Sequence, residues 1–205
     1  MAISRGRASA ILLLTGGYSR RFDGGGKLQA VIDGRTRVID VVADNLAKLG
    51  VPVFEAGIGL TKFPWVHGTQ YKSPLVGVAR GYEAIASDFG TFDLSIFVVA
   101  GDMVKLDPRT VETIVNFPST RTVIPYDGSL QVLAARWGKS SLEMARLMAE
   151  TNPSFSLRSA LGEDVVILDD RRWRGGASPF FDIDTYDDLR RFRSSYLGIK
   201  DASQY

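Results

Sequence analysis

Two stretches of this chain combine residue types that handle phosphate and metal. The first, Leu14-Thr-Gly-Gly-Tyr-Ser-Arg-Arg-Phe-Asp-Gly-Gly-Gly-Lys27, holds five glycines, two arginines and a lysine. Glycine lets backbone N–H groups turn toward an anion with no Cβ in the way, and arginine and lysine supply the positive charge that polyphosphate needs. A phosphate cradle is the chemistry this composition suits. A solvated glycine loop is the plainer alternative. The spacing is not that of a Walker A loop, which would need glycine at Arg21 and a hydroxyl residue at Leu28, and no G-x-G-x-x-G stands at a Rossmann spacing.

The second feature is carboxylate. Asp102 follows the apolar run Leu94 to Ala100, so its side chain should emerge at the C-terminal edge of a central strand, where open α/β sheets bind ligands. One carboxylate with phosphate oxygens and water suffices for Mg²⁺. A turn or cap aspartate is the alternative, since Gly-Asp is also turn chemistry. Asp182 and Asp184 alternate, and on a strand both would project from one face. They would complete a metal shell or hold an acceptor, unless Asp184 and Thr185 simply cap the final helix.

These residues need a scaffold of alternating strands and helices. Ala8 to Leu14 reads as a buried strand, and Val38, Ile39, Val41, Val42, Leu46 and Leu49 fall at helical spacing. Gly50 and Pro52 end that helix before a strand from Val51 to Ala56. The pattern repeats with a helix from Leu75 to Ala86, the strand Leu94 to Ala100 and a helix opening at Pro108 with Asp107 as N-cap. Thr122 to Pro125 and Gln131 to Arg136 flank the turn Asp127-Gly128 and suggest an antiparallel hairpin or a broad loop. Further helices are expected over Lys139 to Glu150, Ser156 to Leu161 and Asp187 to Tyr196, with a strand from Val165 to Leu168. The expected fold is a single-domain, Rossmann-like three-layer α/β/α sandwich with a mostly parallel sheet, over residues 1–199, followed by a loose tail at 200–205.

Composition narrows the chemistry. The 205 residues are 45% hydrophobic and 23% charged, with a net charge of +2 and no long basic tract, so nucleic acid is not the expected partner. With no cysteine and one histidine, His67, thiolate and His-rich metal sites are excluded, and any metal must be held by oxygen. The apolar run Ala10 to Leu14 is too short to span a bilayer, so neither a membrane segment nor a signal peptide is expected, and the protein is placed in the cytoplasm. Trp65, Trp137 and Trp173 are read as core or loop anchors.

Leu14-Thr-Gly-Gly, Ser19-Arg-Arg-Phe and Gly26-Lys27 together resemble the L-A-G-G-x-S-x-R-M-G-x-x-K loop of the NTP-transferase family, which has a GT-A-like nucleotide-diphospho-sugar-transferase fold. Within it the chain looks most like the molybdenum cofactor guanylyltransferases. Ser73-Pro74-Leu75-Val-Gly77 resembles the G-P-L-x-G turn beside base and ribose. Val98-Val-Ala-Gly-Asp102-Met resembles the strand ending in C-D-x-P, whose aspartate ligates Mg²⁺. Phe181-Asp-Ile-Asp184-Thr-Tyr-Asp-Asp-Leu189 resembles the closing N-[IV]-N-T-P-E-D-L motif.

The resemblance implies an NTP, GTP favoured, bound by Leu14, Thr15, Gly16, Gly17, Ser19, Arg21, Lys27, Ser73, Pro74, Leu75 and Gly77. It implies catalysis by Lys27, Arg21 and Asp102 and metal on Asp102 and Asp184. A phosphorylated small-molecule acceptor, molybdopterin favoured, would meet Gln131, Ser156, Arg158, Asp182 and Asp184. Thr15 stands for the family's alanine, Phe22 for its methionine, and Asp182 and Asp184 for two asparagines. Transfer to another base or acceptor, and a nucleotide-binding scaffold without catalysis, are the competing readings.

Overall fold

A computed structural model describes residues 7–17, 22, 26–66, 73–90, 93–173 and 178–198. Seven strands form one sheet: β1 (Ala10–Leu14), β2 (Val53–Ala56), β3 (Trp65–Val66), β4 (Ile96–Ala100), β5 (Thr122–Tyr126), β6 (Ala134–Trp137) and β7 (Val165–Asp169). Their order across the sheet is β3-β2-β1-β4-β6-β5-β7. The helices are α1 (Val38–Ala47), α2 (Pro74–Phe89), α3 (Pro108–Val115), α4 (Lys139–Thr151) and α5 (Tyr186–Tyr196).

Side chains alternate along the central strands and sort the core into two halves. Ile11 and Leu13 of β1 and Phe97 and Val99 of β4 pack under α1, α3 and α5. Ala10, Leu12, Ile96 and Val98 face the other way, against α2 and α4. This is the expected three-layer arrangement, and near-continuous apolar strands are what a sheet covered on both faces requires. The reading of residues 200–205 as a tail lies outside the described residues.

The helix starts follow their sequence signals. Asp107 Oδ1 accepts from the N–H groups of Arg109 and Thr110 at 2.9 and 3.1 Å, ahead of Pro108. Thr185 and Asp188 form a reciprocal capping box on α5. The segment from Ser156 to Leu161 tightens to a 3-10 turn over Leu157–Ala160, with Ser156 as its cap.

The hairpin reading resolves as antiparallel, with a non-consecutive place in the sheet. β6 inserts between β4 and β5 and runs against both. Residues 181–184 are not the expected strand: the Ile183 N–H donates to the Asp102 carbonyl at 3.2 Å instead of joining a ladder. Trp137 and Trp173 are buried anchors, whereas Trp65 is 53% exposed on the edge strand β3. No helix among the described residues is long and apolar enough to cross a membrane.

Candidate active site

The chain leaves β1 to one side of the sheet, toward β2, and later returns to β4 on the other side. Such a reversal leaves a crevice beyond the C-terminal ends of the two strands. Here it is a cavity of about 230 Å³, with Leu14 and Gly17 on one wall and Ala100 to Met103 on the other. β1 and β4 pair in parallel, Leu14 opposite Ala100, and the Gly101 N–H continues the ladder to the Leu14 carbonyl at 3.0 Å. A Cβ on Gly101 would stand 2.9 Å from Ile39 and 3.2 Å from that carbonyl, so glycine permits the close passage that delivers Asp102 to the crevice.

Asp102, Asp182 and Asp184 meet in this cavity, each offering a carboxylate oxygen within 4.8 Å of the others. Burial of Ile183 in the core turns Asp182 and Asp184 toward it, so their alternation survives without a strand. Thr185 caps α5, the Asp184 N–H joins that cap through Asp188 Oδ2 at 3.3 Å, and the Asp184 carboxylate lies 3.3 Å from Lys27 Nζ. Lys27 opens a short 3-10 turn (Lys27–Gln29), and its ammonium also pairs with Asp102 Oδ2.

The charge balance follows from these contacts. Burial pulls the Lys27 ammonium toward neutrality, but Asp102 and then Asp184 outweigh it and hold its pKa above the ordinary lysine value. Asp182 is exposed overall, yet withdrawal of its carboxyl from water, and then the negative charges of Asp102 and Asp184, push its pKa up. Asp102 Oδ1 is buried with no hydrogen-bond partner. A buried carboxylate oxygen left open beside two more oxygen donors is the donor set of a hard divalent cation.

The cavity also takes in Ser73 and Pro74, at the start of α2. Ser73 is already committed, since its hydroxyl donates to the Pro153 carbonyl at 2.6 Å. Leu75 and Gly77 are buried within α2 under the sheet and do not line the cavity. Thr15 and Gly16 are buried and do not line it. Gln131, Ser156 and Arg158 are not brought to it either: Gln131 donates to Asp127 at 2.8 Å, Ser156 caps its 3-10 turn, and Arg158 reaches the Leu130 carbonyl. Ser19, Arg21 and His67 lie outside the described residues.

Sequence reasoning missed Leu28 and Leu133, which add apolar wall, and Glu55, fully buried behind Thr15. Glu55 had one visible signal, an acidic residue inside the apolar run Val-Pro-Val-Phe-Glu-Ala.

A crevice at the switch point of a mostly parallel sheet, with a lysine among three carboxylates on an otherwise largely apolar lining, is the ligand site of an open α/β fold. Residues 11–165 match the model of the MobA-like NTP transferase domain, and the chain belongs to that family of nucleotidyltransferases. Among solved structures it resembles molybdopterin-guanine dinucleotide biosynthesis protein A from Archaeoglobus fulgidus. The TM-score is 0.71 at 19% identity, covering 92% of this chain and 99% of that one. It also resembles 4-diphosphocytidyl-2C-methyl-D-erythritol synthase from Anaerococcus prevotii, with TM-score 0.64, 11% identity and coverage of 94% and 99%. A Mycobacterium tuberculosis H37Rv protein in complex with manganese gives TM-score 0.60, 18% identity and coverage of 92% and 99%. No curated protein sequence matches the chain significantly.

Proposed function

We propose that the protein is a Mg²⁺-dependent guanylyltransferase of the cytoplasm, active as one NTP-transferase domain, that moves GMP from GTP to a molybdopterin cofactor. An acceptor phosphate oxygen attacks the α-phosphorus in line, the bond from that phosphorus to the bridging β-phosphate oxygen breaks, and pyrophosphate leaves. The Lys27–Asp102–Asp184 constellation at the β1/β4 crevice carries the reading. Asp102 and Asp184 would hold the metal, with Asp182 beside them, and a divalent cation there supplies charge neutralisation for the phosphates.

The protein's own groups then do the positioning. Lys27 stays protonated and donates to phosphate oxygens as charge develops, with Arg21 assigned the same task, and the glycine loop with Ser19 offers backbone and hydroxyl donors. No nucleophilic side chain is required. GTP and molybdopterin are favoured by the likeness to the Archaeoglobus fulgidus protein. A second reading, cytidylyl transfer to a polyol phosphate or another acceptor, draws on the Anaerococcus prevotii likeness and on aspartates where the guanylyltransferases have asparagines.

The test is pyrophosphate release by purified protein with Mg²⁺, each of GTP, CTP, UTP and ATP, and molybdopterin or a polyol phosphate. GTP-selective release that needs molybdopterin is the expected result. CTP-selective release establishes the second reading, and no release with any pair defeats both.

A further inference from the structure

Behind the nucleotide loop lies a carboxylate that the transfer chemistry does not use. Glu55, on β2, is fully buried and takes donors from two loops: Thr15 Oγ1 at 2.5 Å, the Leu60 N–H at 2.7 Å, and the Thr61 N–H and Oγ1 at 2.8 and 2.7 Å. Thr15 Oγ1 in turn accepts from the Ile58 N–H at 3.3 Å, and the Thr15 N–H donates to the Ala56 carbonyl at 2.8 Å. Thr15 is the step at which β1 becomes the glycine loop. One buried anion therefore ties the root of that loop to residues 58–61.

The packing is as tight as the bonding. Gly57 has φ +155, and a Cβ there would lie 2.0 Å from Thr15 Oγ1 and 2.5 Å from the Gly16 nitrogen. The Gly57 backbone is thus pressed against the first amide of the glycine loop. Burying a carboxylate costs several kcal/mol in general, and a well-packed apolar pair is often at least as stable. What the anion adds is direction, because its donors come from two separate segments and fix one against the other. Burial alone would raise the Glu55 pKa, but the bonds from Thr15, Leu60 and Thr61 outweigh it and keep the group ionised.

We infer that Glu55 is a positioning residue for nucleotide binding, acting through Thr15 to hold the Gly16–Gly17 backbone in its phosphate-binding setting. This rests on the nucleotide site proposed above. It also gives the threonine at a position where the family carries alanine a partner and a purpose. The brace touches the loop root and none of the carboxylates at the reacting centre, so its loss weakens capture of NTP and spares the chemical step.

The test compares Thr15→Val, Thr15→Ser and Glu55→Gln with the wild type in steady-state transfer and in NTP binding by calorimetry with Mg²⁺. Valine keeps the branched shape and removes the hydroxyl. The expected result is a rise of about tenfold in the KM and Kd for NTP in Thr15→Val and Glu55→Gln, with kcat within about twofold. Thr15→Ser should return KM to within about twofold of wild type. Unchanged NTP affinity in Thr15→Val, whatever its melting temperature, overturns the inference while leaving the nucleotide site intact. A wild type that binds none of the four NTPs overturns the site reading and this inference together. Should Glu55→Gln fail to fold, the valine and serine variants decide alone.

Discussion

Glu55 and Asp102 are both buried carboxylates, one on β2 and one just past β4, on either side of β1. Their surroundings differ in one respect. Glu55 takes its hydrogen bonds from neutral donors of Thr15, Leu60 and Thr61, with the Arg37 guanidinium near enough to feel its charge. Asp102 has a lysine on one oxygen and leaves the other buried and unbonded. The first is finished chemistry, a charge spent on holding two loops in register. The second leaves an acceptor oxygen open beside Asp182 and Asp184, and on the function proposed above that oxygen takes a metal while the Lys27 ammonium turns to phosphate.

The sharpest way to break the comparison is Asp102→Asn, which keeps the shape and removes the charge. Transfer should fall by about 10³-fold or more, while the melting temperature holds or rises because a poorly satisfied anion has gone. Transfer near the wild-type rate, followed as pyrophosphate release, would remove Asp102 from the reaction. Lys27→Met should cost about 10²-fold in the same assay. Without nucleotide, Mn²⁺ should then bind about tenfold more tightly, because the internal cation no longer competes for Asp102 and Asp184. Equal Mn²⁺ affinity in the two proteins, by titration calorimetry, would show that lysine and metal do not share those oxygens.

On the other carboxylate the effect is on stability. Glu55→Ala should lose about 3 kcal/mol in urea unfolding at neutral pH, since it strands one buried donor and three part-buried ones at once. A loss below about 1 kcal/mol would mean that the donors find water or each other. The pH dependence refines this. The folded Glu55 pKa lies below the ordinary glutamate value of 4.5, so the unfolded chain binds the proton more readily. Its contribution is complete above 4.5 and fades as pH falls through the lower, folded value. The stability gap between wild type and Glu55→Gln should therefore narrow below that range, and a gap constant with pH would mean that Glu55 is not ionised in the fold.

The two carboxylates were also unequally legible. Asp102 could be placed from sequence because an apolar run followed by Gly-Asp marks a strand end, and strand ends in open α/β sheets are where ligands bind. Lys27 could be selected by its glycine-rich setting, but not its partner, since Asp184 lies 157 residues away and only the folded chain joins them. Glu55 and Thr15 stand 40 residues apart, and their contact depends on the β1/β2 register that sets Leu14 opposite Ala56. The two-residue strand β3 is too short to leave a periodicity. Ser73, Gln131 and Ser156 look available in sequence because polar side chains carry no mark of an existing partner, and each proves to be occupied.

One topological detail limits where the edge of the crevice can change. Because β6 runs against β4 and β5, residues 127–133, which lead into it, arrive at the same edge as the segments leaving β1 and β4. That stretch is pinned at its own level, with Asp127 accepting from Ser178 and Gln131 and Leu133 forming part of the cavity wall. The Ala100 N–H donates to the Leu133 carbonyl and the Gln131 N–H to the Pro125 carbonyl, so the stretch is tied into the β4 and β5 ladders, and a change of length that spares them must fall within residues 127–130.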